Sequence, residues 1–179
     1  MSPAPDEFRL EDIVARHRVE AGLFIPFTTQ RLSGGLAITE AVWTISLRDV
    51  GVPGVRQPSL RVFWSSENVP VRPSGVSDHT LTEWAALGMA CALVARYTPY
   101  HIWETAVRGD CFDYWLTDGH DDLAMEVSGT RSGGLEVRHR LKVEQWQRNP
   151  HRINGLVIVC GFDVRQKIVS LHRYPEDQQ

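Results

Sequence analysis

The chain has 179 residues, of which 42% are apolar and 23% charged, with a formal net charge of −3 and a pI near 6.1. That balance describes a folded globular protein with enough chain for a substantial core, and it argues against a disordered chain or a strongly basic nucleic-acid-coating one. Cys91, Cys111 and Cys160 are odd in number and form no CxxC pair, which argues against a disulfide scaffold and fits a reducing, cytoplasmic compartment.

The opening MSPAPDEFRLED has no basic region leading into an apolar run, so no signal peptide is expected. No apolar stretch is long enough to span a bilayer, and no membrane association is expected. Residues 8–20 carry apolar positions at Phe8, Ile13, Val14 and Val19 and predict a modest amphipathic helix. Residues 22–35, with Pro26 and the Gly34-Gly35 pair, read as turns. Strands are predicted over 42–48 and 60–64, separated by Gly51, Pro53, Gly54 and Pro58. Residues 68–79 are again rich in turn formers. From Thr80 to Tyr97 apolar residues recur at helical spacing, with Thr80 or Thr82 available as a cap and Pro99 as a stop. Residues 101–107, 112–117 and 122–128 then read as strands. Over 135–147 the alternation of Val137, His139, Leu141 and Val143 suits a strand. The i,i+4 ladder of Glu136, Arg140, Glu144 and Arg148 suits a helix, and the ladder decides the assignment. Buried-strand patterns follow at 156–162 and 167–172. The expected architecture is α/β, a mixed β-sheet flanked by helices in one domain. Residues 1–79 form an N-terminal elaboration and residues 80–179 carry the helix–strand–strand–strand–helix–strand core.

The hairpin around Asp118-Gly119-His120-Asp121 holds the strongest chemical signal. A symmetric turn there pairs residues whose numbers sum to 239, which sets Asp113 opposite Glu126. Phe112, Tyr114 and Leu116 then share an apolar face with Leu123, Met125 and Val127, leaving Asp113, Trp115 and Glu126 on the other. Directly opposed side chains have Cβ atoms roughly 4.5–5.5 Å apart, where like charges repel. Solvent, a basic partner or a hard cation would relieve them, and paired carboxylates suit Mg²⁺, Mn²⁺ or Ca²⁺. Two incidental acids on a half-solvated sheet are the simpler alternative. Asp110 is the nearest rival to Asp113.

The segment order and these acids together resemble the PD-(D/E)xK nuclease-like superfamily over residues 80–165. Asp113 in Gly109-Asp-Cys-Phe-Asp-Tyr-Trp-Leu116 matches its first acid, and Glu126 in Ala124-Met-Glu-Val-Ser128 its second. Glu83 matches the further glutamate that many members carry on the first core helix. The resemblance implies a restriction-endonuclease-like core and metal-dependent phosphodiester hydrolysis in DNA or RNA. Mg²⁺ or Mn²⁺ would be held by Asp113, Glu126 and Glu83. The chain departs from the pattern at the motif lysine, which is Ser128. Some members bring that lysine from the following helix, which makes Lys142 the candidate, Arg138 the second choice, and Gln145 a neighbour on the same face. Arg131, Arg138 and Trp115 are the expected nucleic-acid contacts, with DNA favoured over RNA. The alternative is a catalytically inactive relative that binds a protein partner or assembles, for instance as a homodimer. Most of the six tryptophans are expected in the core, Trp115 being the exception beside the acids.

Overall fold

The computed structural model describes residues 4–68, 74–132 and 134–173. In chain order these form β1 (Asp6–Arg9), α1 (Ile13–Arg16), α2 (Ile25–Ser33), β2 (Glu40–Arg48), β3 (Val55–Arg56), β4 (Ser59–Phe63), α3 (Asp78–Tyr97) and β5 (His101–Thr105). The remainder are β6 (Tyr114–Thr117), β7 (Asp122–Thr130), α4 (Leu135–Trp146), β8 (Gly155–Gly161) and β9 (Gln166–His172). The nine strands make one mixed sheet in the order β1-β4-β2-β9-β8-β7-β6-β5, with β3 attached to β2. The pairs β1–β4, β2–β9 and β7–β8 are parallel. Helices α1, α2 and α3 share the larger apolar core on one face, and α4 closes a smaller one on the other, built on Trp146, Val157, Val159 and Ile168. No helix among the described residues is long and apolar enough to cross a membrane.

The first half of the chain is more regular than its composition suggests. Residues 8–20 do not form one helix: Asp6–Arg9 is a strand pairing with Leu60–Phe63, and only one helical turn follows at Ile13–Arg16. Phe8 and Ile13 are buried as expected, and Leu10 with them, but Val14 is exposed, because pairing of Asp6–Arg9 with β4 breaks the single helix that would have put Val14 on the same face. Residues 22–35 are not a run of turns, because Pro26 lies in the first turn of α2 and Gly34 closes its C-terminus with φ +64°. Proline at the start and glycine just past the end punctuate a helix. Residues 6–63 therefore extend the sheet by four strands rather than decorating it. The expected turns at 68–79 lie partly outside the described residues.

Helix α3 starts two residues earlier than predicted. Its cap is Ser77, whose hydroxyl accepts the Thr80 N–H at 3.1 Å, in place of Thr80 or Thr82. Small side chains let it lie close to its neighbours. A Cβ on Gly129 would fall 2.6 Å from the Thr82 carbonyl oxygen, so glycine there allows α3 to press onto β7. Likewise a Cβ on Gly88 would fall 2.0 Å from Thr28 Oγ1, which locks α2 against α3. Of the predicted 135–147 segment, Leu135–Trp146 is helical, as the charge ladder indicates.

One core residue runs against the pattern. Lys167, 1% exposed on β9, has its ammonium 2.9 Å from the Trp43 ring centroid and 5.0 Å from that of Phe162. Its Nζ has no hydrogen-bond partner, and burial pushes its pKa from 10.5 down to about 7. Unfolded chains hold this proton up to the higher value and folded chains release it near the lower one. Stability should therefore rise with pH between about 7 and 10.5. Lys167→Met, close in volume and free of that penalty, should stabilise the protein by about 1–3 kcal/mol at pH 7 and flatten this rise. Urea unfolding at pH 7 and pH 10 checks both effects, and a destabilised Lys167→Met would disprove the account.

A candidate active site at the open edge of β7

Strand β6 has four residues and β7 has nine. Their register is the expected one: Tyr114 opposes Met125 and Leu116 opposes Leu123. Beyond Met125, among the described residues, no strand pairs with β7 on this side. The backbone before β6 instead turns through Gly109 at φ +110° and Cys111 at φ +64°. This bend corrects the expected face pattern. Phe112 does not join Tyr114 and Leu116 in the larger core but packs in the smaller one, 4.9 Å edge-to-face from Trp115.

Asp113 thus ends just outside the strand. Its N–H still donates to the Met125 carbonyl at 2.9 Å, while its carboxylate turns onto the open edge and accepts the Val127 N–H at 2.8 Å. Two residues on, the Gly129 N–H donates to Glu83 Oε2 at 3.4 Å. Two side-chain carboxylates therefore take up edge N–H groups that a neighbouring strand would otherwise bind. Glu83 reaches this edge because Gly129 lets α3 approach it.

The opposite side of β7 carries Glu126 and Ser128, both buried beneath α4. Lys142 donates to Glu126 Oε1 and, at 3.1 Å, to Gln145 Oε1. One turn earlier, Arg138 donates to the Ser128 hydroxyl at 3.0 Å. The helical spacing brings both cations onto one strip of β7. Glu126 is 0% exposed, and its Oε2 has no hydrogen-bond partner. Burial, then the charge of Asp113, raises its pKa to about 7 against the opposing pull of Lys142. Burial also raises Asp113, partly offset by the Val127 N–H and by Lys142.

A cleft of about 450 Å³ opens over this edge, lined among others by Glu83, Trp84, Arg108, Asp113, Tyr114 and Lys142. The structure thus brings together Glu83, Asp113, Glu126 and Lys142. It keeps Arg131 apart, paired with Asp78 at 3.2 Å and Asp163 at 3.7 Å. Trp115 shares the Glu126 side of the sheet but packs against Phe112 and His151 and does not line the cleft. Asp110 accepts from His151 at 2.9 Å and from the Val107 N–H at 2.9 Å, so it braces the loop. Trp84 was expected in the core and is instead 42% exposed at the cleft. Its helix buries Leu81, Thr82, Ala85, Ala86 and Met89, and Glu83, Trp84 and Leu87 form the stripe left outside that arc. That offset was the available signal for it.

Among the described residues no three His, Cys, Asp or Glu side chains converge closely enough to hold a metal. The pair Asp113 and Glu126 nevertheless suits a hard cation, since Glu126 offers a buried oxygen with no partner. Glu83 stands outside the pair, engaged with Gly129. A larger cavity of about 700 Å³ lies elsewhere, lined by Tyr97, Tyr100, Leu123, Leu156 and Leu171. Of the acids, only Asp49 borders it among the described residues. Its size exceeds that of the cleft, and its charged or titratable border is Asp49, His172 and Arg173 with Tyr97 and Tyr100, without a second carboxylate among the described residues.

Glu126 also predicts a pH dependence. Its carboxyl ionises near 4.5 unfolded and near 7 folded, so stability should fall as pH rises through that window. Glu126→Gln should leave stability near the wild type at pH 4.5 and raise it by roughly 1–2 kcal/mol at pH 8, the lost Lys142 ion pair offsetting part of the gain. Denaturant midpoints at the two pH values measure this, and a destabilised Glu126→Gln at pH 8 would contradict it. Scans of the chain against family models, curated proteins and solved structures return no match, so the geometry alone carries the reading of this site.

Proposed function

We propose that this chain is a metal-dependent nuclease that hydrolyses phosphodiester bonds in DNA or RNA, with a core of the PD-(D/E)xK kind. The observation that carries the reading is the hydrogen bond from Lys142 to Glu126 beside Asp113. It brings from α4 the ammonium that Ser128 does not supply on β7. The order α3, β5, β6, β7, α4, β8, with four adjacent strands, supports the same reading.

In this mechanism Asp113 and Glu126 would hold Mg²⁺ or Mn²⁺, which when bound would supply a Lewis acid and make the attacking water more acidic. Water attacks phosphorus, one P–O ester bond breaks, and the proton lost by the water ends on the leaving oxygen, giving a hydroxyl and a phosphomonoester. Lys142 holds the attacking water through a hydrogen bond and offsets the negative charge growing on the phosphoryl oxygens. Gln145 keeps the ammonium directed at the acids. Glu83 fixes the open edge of β7 through Gly129 instead of adding a third carboxylate to the pair. Arg138 is the nearer of the two arginines proposed to contact nucleic acid, and Arg131 would act at the far end of β7. DNA is the preferred substrate in this reading.

A second reading, an inactive relative that binds or assembles, is favoured by the ion-paired, fully buried state of Glu126 and by the absence of a three-acid cluster among the described residues. Calorimetric titration of Mn²⁺, with a nuclease assay on the same samples, separates the two. The nuclease reading expects binding and cleavage to vanish together in Asp113→Ala/Glu126→Ala. It expects Lys142→Ala to lose roughly 10²-fold or more in cleavage rate while keeping metal binding. Nucleic-acid binding by a wild type that cleaves neither DNA nor RNA with either metal would favour the inactive relative.

A further inference from the structure

Trp84 is a large apolar side chain at a position where its helix faces solvent, and 42% of it is exposed. It is nonetheless held firmly. Phe27 meets it with ring centroids 4.6 Å apart and planes at 73°, and the Gly88–Thr28 approach locks the helix carrying Phe27 against α3. The near-perpendicular contact covers part of the indole and leaves the rest free. That free surface lines the same cleft as Asp113 and Lys142, with the exposed Arg108 on its border. A rigid aromatic plate beside cations is how sequence-independent single-strand sites are built: bases stack on the ring while the cations neutralise phosphates. The cleft, about 450 Å³, falls in the roughly 300–1,000 Å³ range of sites that hold one small ligand. A base within an intact duplex is stacked on both faces and has none to offer Trp84.

We infer that Trp84 is a stacking subsite for an unpaired nucleobase and that the site therefore takes single-stranded nucleic acid. The inference rests on the nuclease reading for the nature of the ligand, but it concerns binding and can be tested apart from cleavage. The probe is fluorescently labelled oligothymidylate, titrated by anisotropy in the presence of EDTA. Comparators are a perfect duplex and an abasic strand of equal length. Wild type should bind the single strand about tenfold tighter than the duplex or the abasic strand. Trp84→Ala should lose about tenfold for oligothymidylate alone, and Trp84→Phe should restore most of it. The Phe variant also guards against loss of folding in the Ala variant. Equal binding of duplex and single strand, equal binding of the abasic strand, or an unaffected Trp84→Ala would each overturn the inference. So would self-association that depends on Trp84 without oligonucleotide binding. Trp84-dependent binding in a wild type that hydrolyses no phosphodiester would sustain the subsite while removing the nuclease reading.

Discussion

The feature on which the site depends is the unequal length of two neighbouring strands. Because β6 ends opposite Met125 while β7 runs on to Thr130, a row of backbone donors on β7 would be left without strand partners. Burying such groups without partners costs far more than pairing them gains. Asp113 and Glu83 supply acceptors at Val127 and Gly129, and to do so both must sit at the same opening. Each acid is thus held by main-chain geometry before any chemistry is asked of it. The cleft between α3 and α4 is the space that a longer β6 would have filled.

The charge arrangement follows from which face each residue takes. Val127 and Gly129 turn toward α3, so Glu126 and Ser128 turn toward α4 and lose contact with water. Lys142 is the partner that makes a fully buried Glu126 tolerable, yet burial, and after it the charge of Asp113, raises the carboxyl's pKa to about 7. A buried pair of this kind contributes little net stability once desolvation is counted. Lys167 is a useful contrast. Its side chain is fully buried where that of Lys142 is partly exposed, it faces Trp43 and Phe162 rather than an acid, and burial pushes its pKa down to about 7.

Much of this was legible in the chain, and the legible parts share a cause. The hairpin register followed from a turn of fixed length, because a symmetric turn leaves only one pairing. The helix over Leu135–Trp146 followed from its i,i+4 charge ladder, and with it the delivery of Lys142 and Arg138 to one strip of β7. Where local signals misled, a distant partner had decided the outcome. Residues 6–9 became a strand because β4 offered an edge to pair with. Phe112 changed faces because the backbone at Cys111 entered the left-handed region. Trp84 left the core because α2 packs on α3 through Thr28 and Gly88, which sets which side of the helix is covered.

The division between the two kinds of information is physical. Sequence by itself determined what depends on residues close along the chain: periodicity, turn length, helix punctuation, and the pairing of the 114–117 and 122–125 segments. It also named the acids, since alternation along β7 fixes which side Glu126 faces. Only tertiary structure decided where β6 would stop, that Asp113 would bind an edge N–H rather than oppose Glu126, and that the ammonium would be supplied by α4. These outcomes rest on contacts between segments far apart in sequence, such as Glu83 with Gly129 and Lys142 with Glu126. Their free energy exists only once the sheet has been assembled.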